Sequence, residues 1–134
     1  MQTKEINSLV LAYLGDSVYE NYIRKKLIAQ KIATVKQLQS LATHYVSATA
    51  QAAFLKILVQ ENYFSDPELE VLKRARNTKG HAHPKGCDMI TYKQATALEA
   101  LLGYLTLENE TTRCEQIMDK IWEVSYDCIW KKCS

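Results

Sequence analysis

Two carboxylates stand inside an apolar helical stretch near the start of the chain, Asp16 and Glu20 in the run Leu14-Gly15-Asp16-Ser17-Val18-Tyr19-Glu20. Four residues apart, they lie one above the other on the same helix face. Around them Leu9, Val10, Tyr13, Leu14, Val18, Tyr22 and Ile23 recur at helical spacing. Another acid, Glu99, sits in an equally apolar pattern with Ala95, Leu98, Leu101 and Leu102. An ionised carboxylate in such surroundings is costly unless paired, hydrogen-bonded or bound to a metal. Two acids on two apolar helices point to a shared cation. Hard oxygen ligands suit Mg²⁺ or Mn²⁺, which keep several waters and bind through few carboxylates plus substrate phosphate. Such a site supports metal-assisted phosphodiester hydrolysis. The plainer alternative makes these acids polar residues at helix boundaries, or partners of Lys and Arg.

A basic segment forms the second candidate. Lys73, Arg74, Arg76, Lys79, His81, His83 and Lys85 fall within thirteen residues. Such a block attracts nucleic acid through its phosphates, whatever the sequence. The formal net charge is only +2, so nucleic-acid binding has to come from local clustering of this kind. The block directly precedes the Glu99 helix, where a loop would hold a nucleic-acid backbone over the carboxylates. Its plainer alternative is a solvated helix end and loop. His81-x-His83 followed by Cys87 resembles a metal cluster but lacks a fourth ligand. Neither Ser17 nor any cysteine lies in a nucleophile motif, which argues against covalent catalysis.

At 134 residues the chain fits one domain, 1–134, with a real core. Its 47% hydrophobic and 24% charged residues, with four Gly and two Pro, are an ordinary globular composition and argue against disorder. No apolar run approaches the ~20 residues of a membrane span, and the N-terminus has no signal-peptide pattern, so a cytoplasmic protein with no membrane partner is expected. Cys87, Cys114, Cys128 and Cys133 contain no Cys-x-x-Cys pair and read as reduced thiols, some of them buried.

Nearly everything reads as helix, with no strand alternation. The first spans about Glu5 to Ala29, with Gly15 inside it marking a close helix crossing. Thr34 caps a short helix carrying Val35, Leu38 and Leu41, and an Ala-rich helix follows from about His44 to Asn62. Ser65-Asp66-Pro67-Glu68 opens the next, with Asp66 as cap and Pro67 at the first position. Residues 78–88 form a loop, Met89 to Glu108 the Glu99 helix, and Thr111 to about Lys132 the last, with Lys131 and Lys132 at its negative end. Tyr13, Tyr19, Tyr22, Tyr92 and Tyr104 read as core or interface residues.

Leu11-Ala12-Tyr13-Leu14-Gly15-Asp16-Ser17-Val18-Tyr19-Glu20 resembles the signature helix of the ribonuclease III family, more closely its compact Mini-ribonuclease III branch. Lys73-Arg74-Ala75-Arg76-Asn77, then Pro84-Lys85 in a loop, then Ala97-Leu98-Glu99-Ala100-Leu101-Leu102-Gly103-Tyr104-Leu105 match the remaining hallmarks in order, over essentially the whole chain. The resemblance implies an all-α, homodimeric, Mg²⁺-dependent enzyme, with Mn²⁺ able to substitute. It would cleave double-stranded RNA to leave 5′-phosphates and short 3′ overhangs. In the compact branch the substrate is the precursor of large-subunit (23S) ribosomal RNA, and no double-stranded-RNA-binding domain follows the catalytic one. A ribosomal protein is a further candidate partner. By position, Asp16 and Glu99 become the catalytic acids and metal ligands, while Lys73, Arg74, Arg76, Lys79 and Lys85 grip the duplex by shape and phosphate.

Two positions depart from the wider family pattern. Ala12 stands where full-length enzymes have Glu, and Thr96 where they have Asp. The site is therefore poor in carboxylates, and Glu20 is a candidate for the missing oxygen. Ala75 also replaces a Gly usual within the basic motif. The reading expects a symmetric dimer with the signature helices packed across the two-fold and Gly15 at their contact. Its rivals are a non-catalytic RNA-binding or scaffolding dimer on the same fold, and a helical protein–protein adaptor.

Overall fold

A computed structural model describes residues 2–81 and 85–130; His83, Pro84, Lys131, Lys132 and Cys133 lie outside them. After a 3-10 turn at Thr3–Glu5 come six helices: α1 (Ser8–Ala29), α2 (Val35–Val46), α3 (Ala48–Gln60), α4 (Asp66–Asn77), α5 (Met89–Leu107) and α6 (Thr111–Ser125). A wider π-type turn, Tyr126–Trp130, follows α6. No strand occurs among the described residues, and the fold is all-α.

Helix α5 is the axis of the molecule. Ala95, Thr96, Ala97, Leu98, Ala100, Leu101, Leu102, Gly103 and Leu105 are all buried, so it is covered nearly all round, as an apolar helix must be. Helices α1, α3, α4 and α6 pack around it. The tightest of these contacts is with α1. A Cβ on Gly15 would stand 1.7 Å from the Glu99 carbonyl oxygen, and one on Gly103 2.0 Å from that of Leu11. The two glycines let the backbones touch where any side chain would hold them apart.

This placement corrects one expectation. Gly15 does mark a close crossing, but with α5 of the same chain, and its face is filled before a second subunit could reach it.

Three helix ends also differ from the sequence reading, each for a capping reason. Asn7 accepts a hydrogen bond from Leu9 N (2.8 Å), so α1 opens at Ser8 rather than at Glu5. The stretch from His44 to Asn62 is two helices: Ser47 is extended, and its hydroxyl accepts from Ala50 N to start α3, leaving His44 in the last turn of α2. Ser65, not Asp66, caps α4, and its side chain and that of Glu68 form a reciprocal capping box.

Glu68 then does a second job. Arg113 of α6 donates to both its carboxylate oxygens at 2.8 Å and to the Tyr63 carbonyl, while its guanidinium lies 4.7 Å over the Tyr63 ring. Burial alone would raise the pKa of Glu68, but the hydrogen bonds from Arg113 and Ser65 outweigh it and hold the acid below its usual value. A carboxylate with a depressed pKa stabilises the fold above its unfolded pKa, and that stability is lost as pH falls through the folded value. Arg113→Met is expected to cost about 2–4 kcal/mol at pH 7. The loss should shrink as the pH falls through the depressed folded-state value of Glu68, where wild type itself takes up the proton; urea unfolding at neutral and at acid pH checks it.

Candidate active site

Asp16 and Glu99 come together. Asp16 directly follows Gly15, and Glu99 is the residue whose carbonyl that glycine meets, so the α1–α5 crossing sets the two acids beside each other. Asp16 faces solvent, whereas Glu99 is half-buried. The Glu99 carboxyl is pushed up to about 9. Burial is the largest cause, followed by its hydrogen bond to Asp16 and the charge of Asp16, with Glu20 adding a smaller repulsion. Two neighbouring carboxyls, one of them desolvated, offer the hard oxygens whose charge a divalent cation would compensate.

The other sequence candidates fall differently. The Glu20 carboxylate takes a 3.0 Å ion pair with Arg24, one turn further along α1. Among the described residues no three His, Cys, Asp or Glu side chains form a group that would hold a metal, and Glu20 adds its charge to the repulsion on Glu99. Thr96, at the position of the missing Asp, is buried and donates to the Tyr92 carbonyl within its own helix (2.9 Å). Ala12 is buried in the core.

Of the basic set, Lys73, Arg76, Lys79 and Lys85 are exposed. Arg74 is occupied otherwise. Its guanidinium donates to the Lys4 and Ile6 carbonyls and, at 3.3 Å, to the Ser8 hydroxyl, pinning the N-terminal segment to α4. In this structure it serves as a clamp on the N-terminal segment. The loop after α4 rests on both acid-bearing helices. A Cβ on Gly80 would stand 3.8 Å from Leu9 Cδ1, and the His81 ring packs edge-on against Tyr92 at 6.0 Å. Leu9 precedes Asp16, and Tyr92 precedes Glu99, by about two helical turns, or roughly 10 Å. His81 Nε2 also bonds the Ala75 carbonyl (3.0 Å), and Cys87 is a free thiol, so neither is part of a metal group among the described residues.

One site residue escaped the sequence reading. Gln51 of α3 is only 2% exposed and faces Glu99, where its amide favours the ionised acid. Its signal was spacing: Gln51, Phe54, Leu55 and Leu58 are the buried residues of α3, so a polar side chain occupies a core position.

The elevated Glu99 pKa carries a pH dependence. An acid whose folded pKa exceeds its unfolded one destabilises the fold increasingly as pH rises between the two values. Without divalent cation, stability should therefore fall from about pH 4.5 toward pH 9 on this account. Glu99→Gln should melt roughly 5 °C higher than wild type at pH 8 in chelator, with the gap closing near pH 5. Thermal unfolding across that pH range measures it.

The Ribonuclease III domain model matches residues 9–110. The chain is 38% identical over 118 residues to Mini-ribonuclease 3 of Staphylococcus aureus, covering 88% of each chain. It is 40% identical over 116 residues to that of Enterococcus faecalis (87% and 88%) and 44% over 110 residues to that of Desulfitobacterium hafniense (82% and 68%). The crystal structure of protein FN1578 from Fusobacterium nucleatum superposes with a TM-score of 0.79 at 28% identity, over 90% of this chain and 94% of that one. The chain belongs to the ribonuclease III family, on its Mini-ribonuclease 3 branch.

Proposed function

We propose that this protein is a divalent-metal-dependent endoribonuclease that hydrolyses double-stranded RNA to leave 5′-phosphates. The observation that carries the proposal is the Asp16–Glu99 pair, set side by side by a crossing of two backbones, with the Glu99 carboxyl held above its usual range by burial and by Asp16 beside it. The two carboxylates fit Mg²⁺ or Mn²⁺: hard oxygens, net negative, few enough to leave positions for water and phosphate. When bound, the cation lowers the pKa of an attacking water and offsets the charge that develops on the departing oxygen.

The remaining parts come from the chain. Asp16 lies at the solvent-facing edge, where a phosphate would approach, while half-buried Glu99 would offer its oxygen from the most enclosed helix of the fold. Lys73, Arg76, Lys79 and Lys85 hold the duplex backbone by charge, at the end of α4 and in the loop that leans on both acid helices. Reading by shape and phosphate accounts for a preference for A-form duplex without strict sequence.

The working unit is a homodimer in this proposal. Val10 (58% exposed) and Tyr13 (84%) form an apolar strip on α1, and Asp16 continues it at the same three-residue spacing. Ile90, on α5, is 74% exposed. A second copy seated on this strip would bring two acid pairs to one groove, one for each strand. The precursor of 23S ribosomal RNA is the proposed substrate, with a ribosomal protein as a candidate assistant, both in line with the branch. No helix among the described residues is long and apolar enough to cross a membrane, and a cytoplasmic site of action is proposed.

The test compares duplex RNA, single-stranded RNA and duplex DNA of one sequence, with product ends mapped and mass measured by sedimentation. Duplex RNA cut to 5′-phosphate ends by a dimer supports the proposal. Duplex RNA bound but never cut would favour the RNA-binding scaffold.

A further inference from the structure

Gln51 is built into the site more firmly than a core polar residue requires. Its Nε2 donates to the Val46 carbonyl at 2.9 Å. That carbonyl belongs to the last residue of α2, one of the acceptors a helix C-terminus leaves open, so the bond ties α2 to α3 across the Ser47 break. The same carboxamide faces Glu99 of α5. Its Oε1, in contrast, is buried and has no hydrogen-bond partner. A buried unpaired acceptor is costly, and the amide could have been an apolar side chain if tying two helices were unnecessary. Capping α2 explains the nitrogen. It leaves the oxygen unexplained.

We propose that Gln51 is a positioning residue of the acid pair: its amide N–H fixes the Glu99 carboxylate, and its free Oε1 accepts hydrogen from the hydrated cation. This rests on the reading of Asp16 and Glu99 as a divalent-ion site. The chemistry is specific to a carboxylate-poor centre. With only two acids, a cation such as Mg²⁺ retains several waters, each of which is a donor in need of an acceptor. A third carboxylate would answer that need at the price of further repulsion against Glu99. A neutral amide oxygen answers it without charge, and the amide's other end is already anchored. Partners of this indirect kind change metal affinity by about 10–100-fold when removed.

Mn²⁺ binding to the full chain, followed by calorimetry and by the electron paramagnetic resonance of free Mn²⁺, gives the first arm. Gln51→Met keeps length and burial but removes both polar atoms. Its affinity for Mn²⁺ should fall at least tenfold, while its melting temperature in chelator stays within a few degrees of wild type. An affinity within twofold of wild type would overturn the proposal, since a purely helix-tying role predicts lost stability and unchanged metal binding. The second arm needs no variant. On Mg²⁺ titration of wild type, the side-chain amide resonances of Gln51 should shift with the midpoint shown by the backbone amides of Asp16 and Glu99. A Gln51 signal that stays still while those two move overturns the proposal alone. If neither Mn²⁺ binds nor any of the three signals moves, the two-acid site itself falls, and this role with it.

Discussion

Placing a single methyl group on Gly15 or Gly103 is expected to cost the protein about 3 kcal/mol or more, the upper end of overpacking effects. Helix propensity predicts the opposite sign, since Ala in a helix interior is better than Gly by about 1 kcal/mol. Geometry decides between them. The Gly15 Cβ would lie 1.7 Å from the Glu99 carbonyl oxygen and the Gly103 Cβ 2.0 Å from that of Leu11, far inside any non-bonded contact. Both obstacles are backbone, so no rotamer change relieves them, and α1 must lift away from α5. That displacement also separates Asp16 from Glu99. Gly15→Ala and Gly103→Ala should each lower the urea midpoint sharply and reduce cleavage beyond what the unfolded fraction explains. A midpoint equal to or above wild type would show that the crossing is looser than described. The two effects share one contact, so the double variant should lose less than their sum.

Asp16→Asn has the largest expected effect on activity, a loss on the order of 10³-fold or more, since it removes half of the anionic charge that would hold the cation. Its effect on stability has the other sign. Asp16 faces solvent, and its charge and hydrogen bond help to raise the Glu99 pKa, so neutralising it relieves repulsion. The variant should melt at or above wild type in chelator, still bind duplex RNA through Lys73, Arg76, Lys79 and Lys85, and fail to cut it. Cleavage at an undiminished rate would remove Asp16 from the site. Single-turnover assays with enzyme in excess separate this loss of chemistry from a loss of binding.

Much of the fold was legible because its signals are local. Helical spacing of apolar residues marks α1 and α5, and Ser65-Asp66-Pro67-Glu68 announces the start of α4 within one turn. Local signals also explain the errors. Ser47 breaks an Ala-rich stretch in which apolar residues run on both sides, so only its hydroxyl, capping Ala50 N, distinguishes two helices from one. Asp66 and Ser65 are both good caps by type, and the choice between them depends on the reach of Glu68 back to Ser65.

The site was legible in its acids and opaque in its supports. Asp16 and Glu99 stand out as charges in apolar patterns, and the structure sets them side by side. Gly15 signals a close crossing, but its partner is Gly103, in a distant part of the chain that shares no local pattern with it. Arg74 and Arg76 look alike in a basic run; only the distant Lys4, Ile6 and Ser8 turn the first into a clamp while the second stays exposed. Gln51 shows the limit most plainly. Its core position can be read from spacing, yet what it faces depends on how α3 lies against α5.

The central claim is that the Asp16–Glu99 pair cuts duplex RNA with a divalent cation. Incubating the purified protein with a long RNA duplex, in Mg²⁺ and in chelator, beside Glu99→Gln, tests it most directly. The account predicts cutting in Mg²⁺ that stops in chelator and is absent in the variant, although the variant is expected to melt higher than wild type at pH 8 in chelator. Cutting that persists in chelator or in Glu99→Gln, or duplex left intact by folded wild type in Mg²⁺, would contradict it.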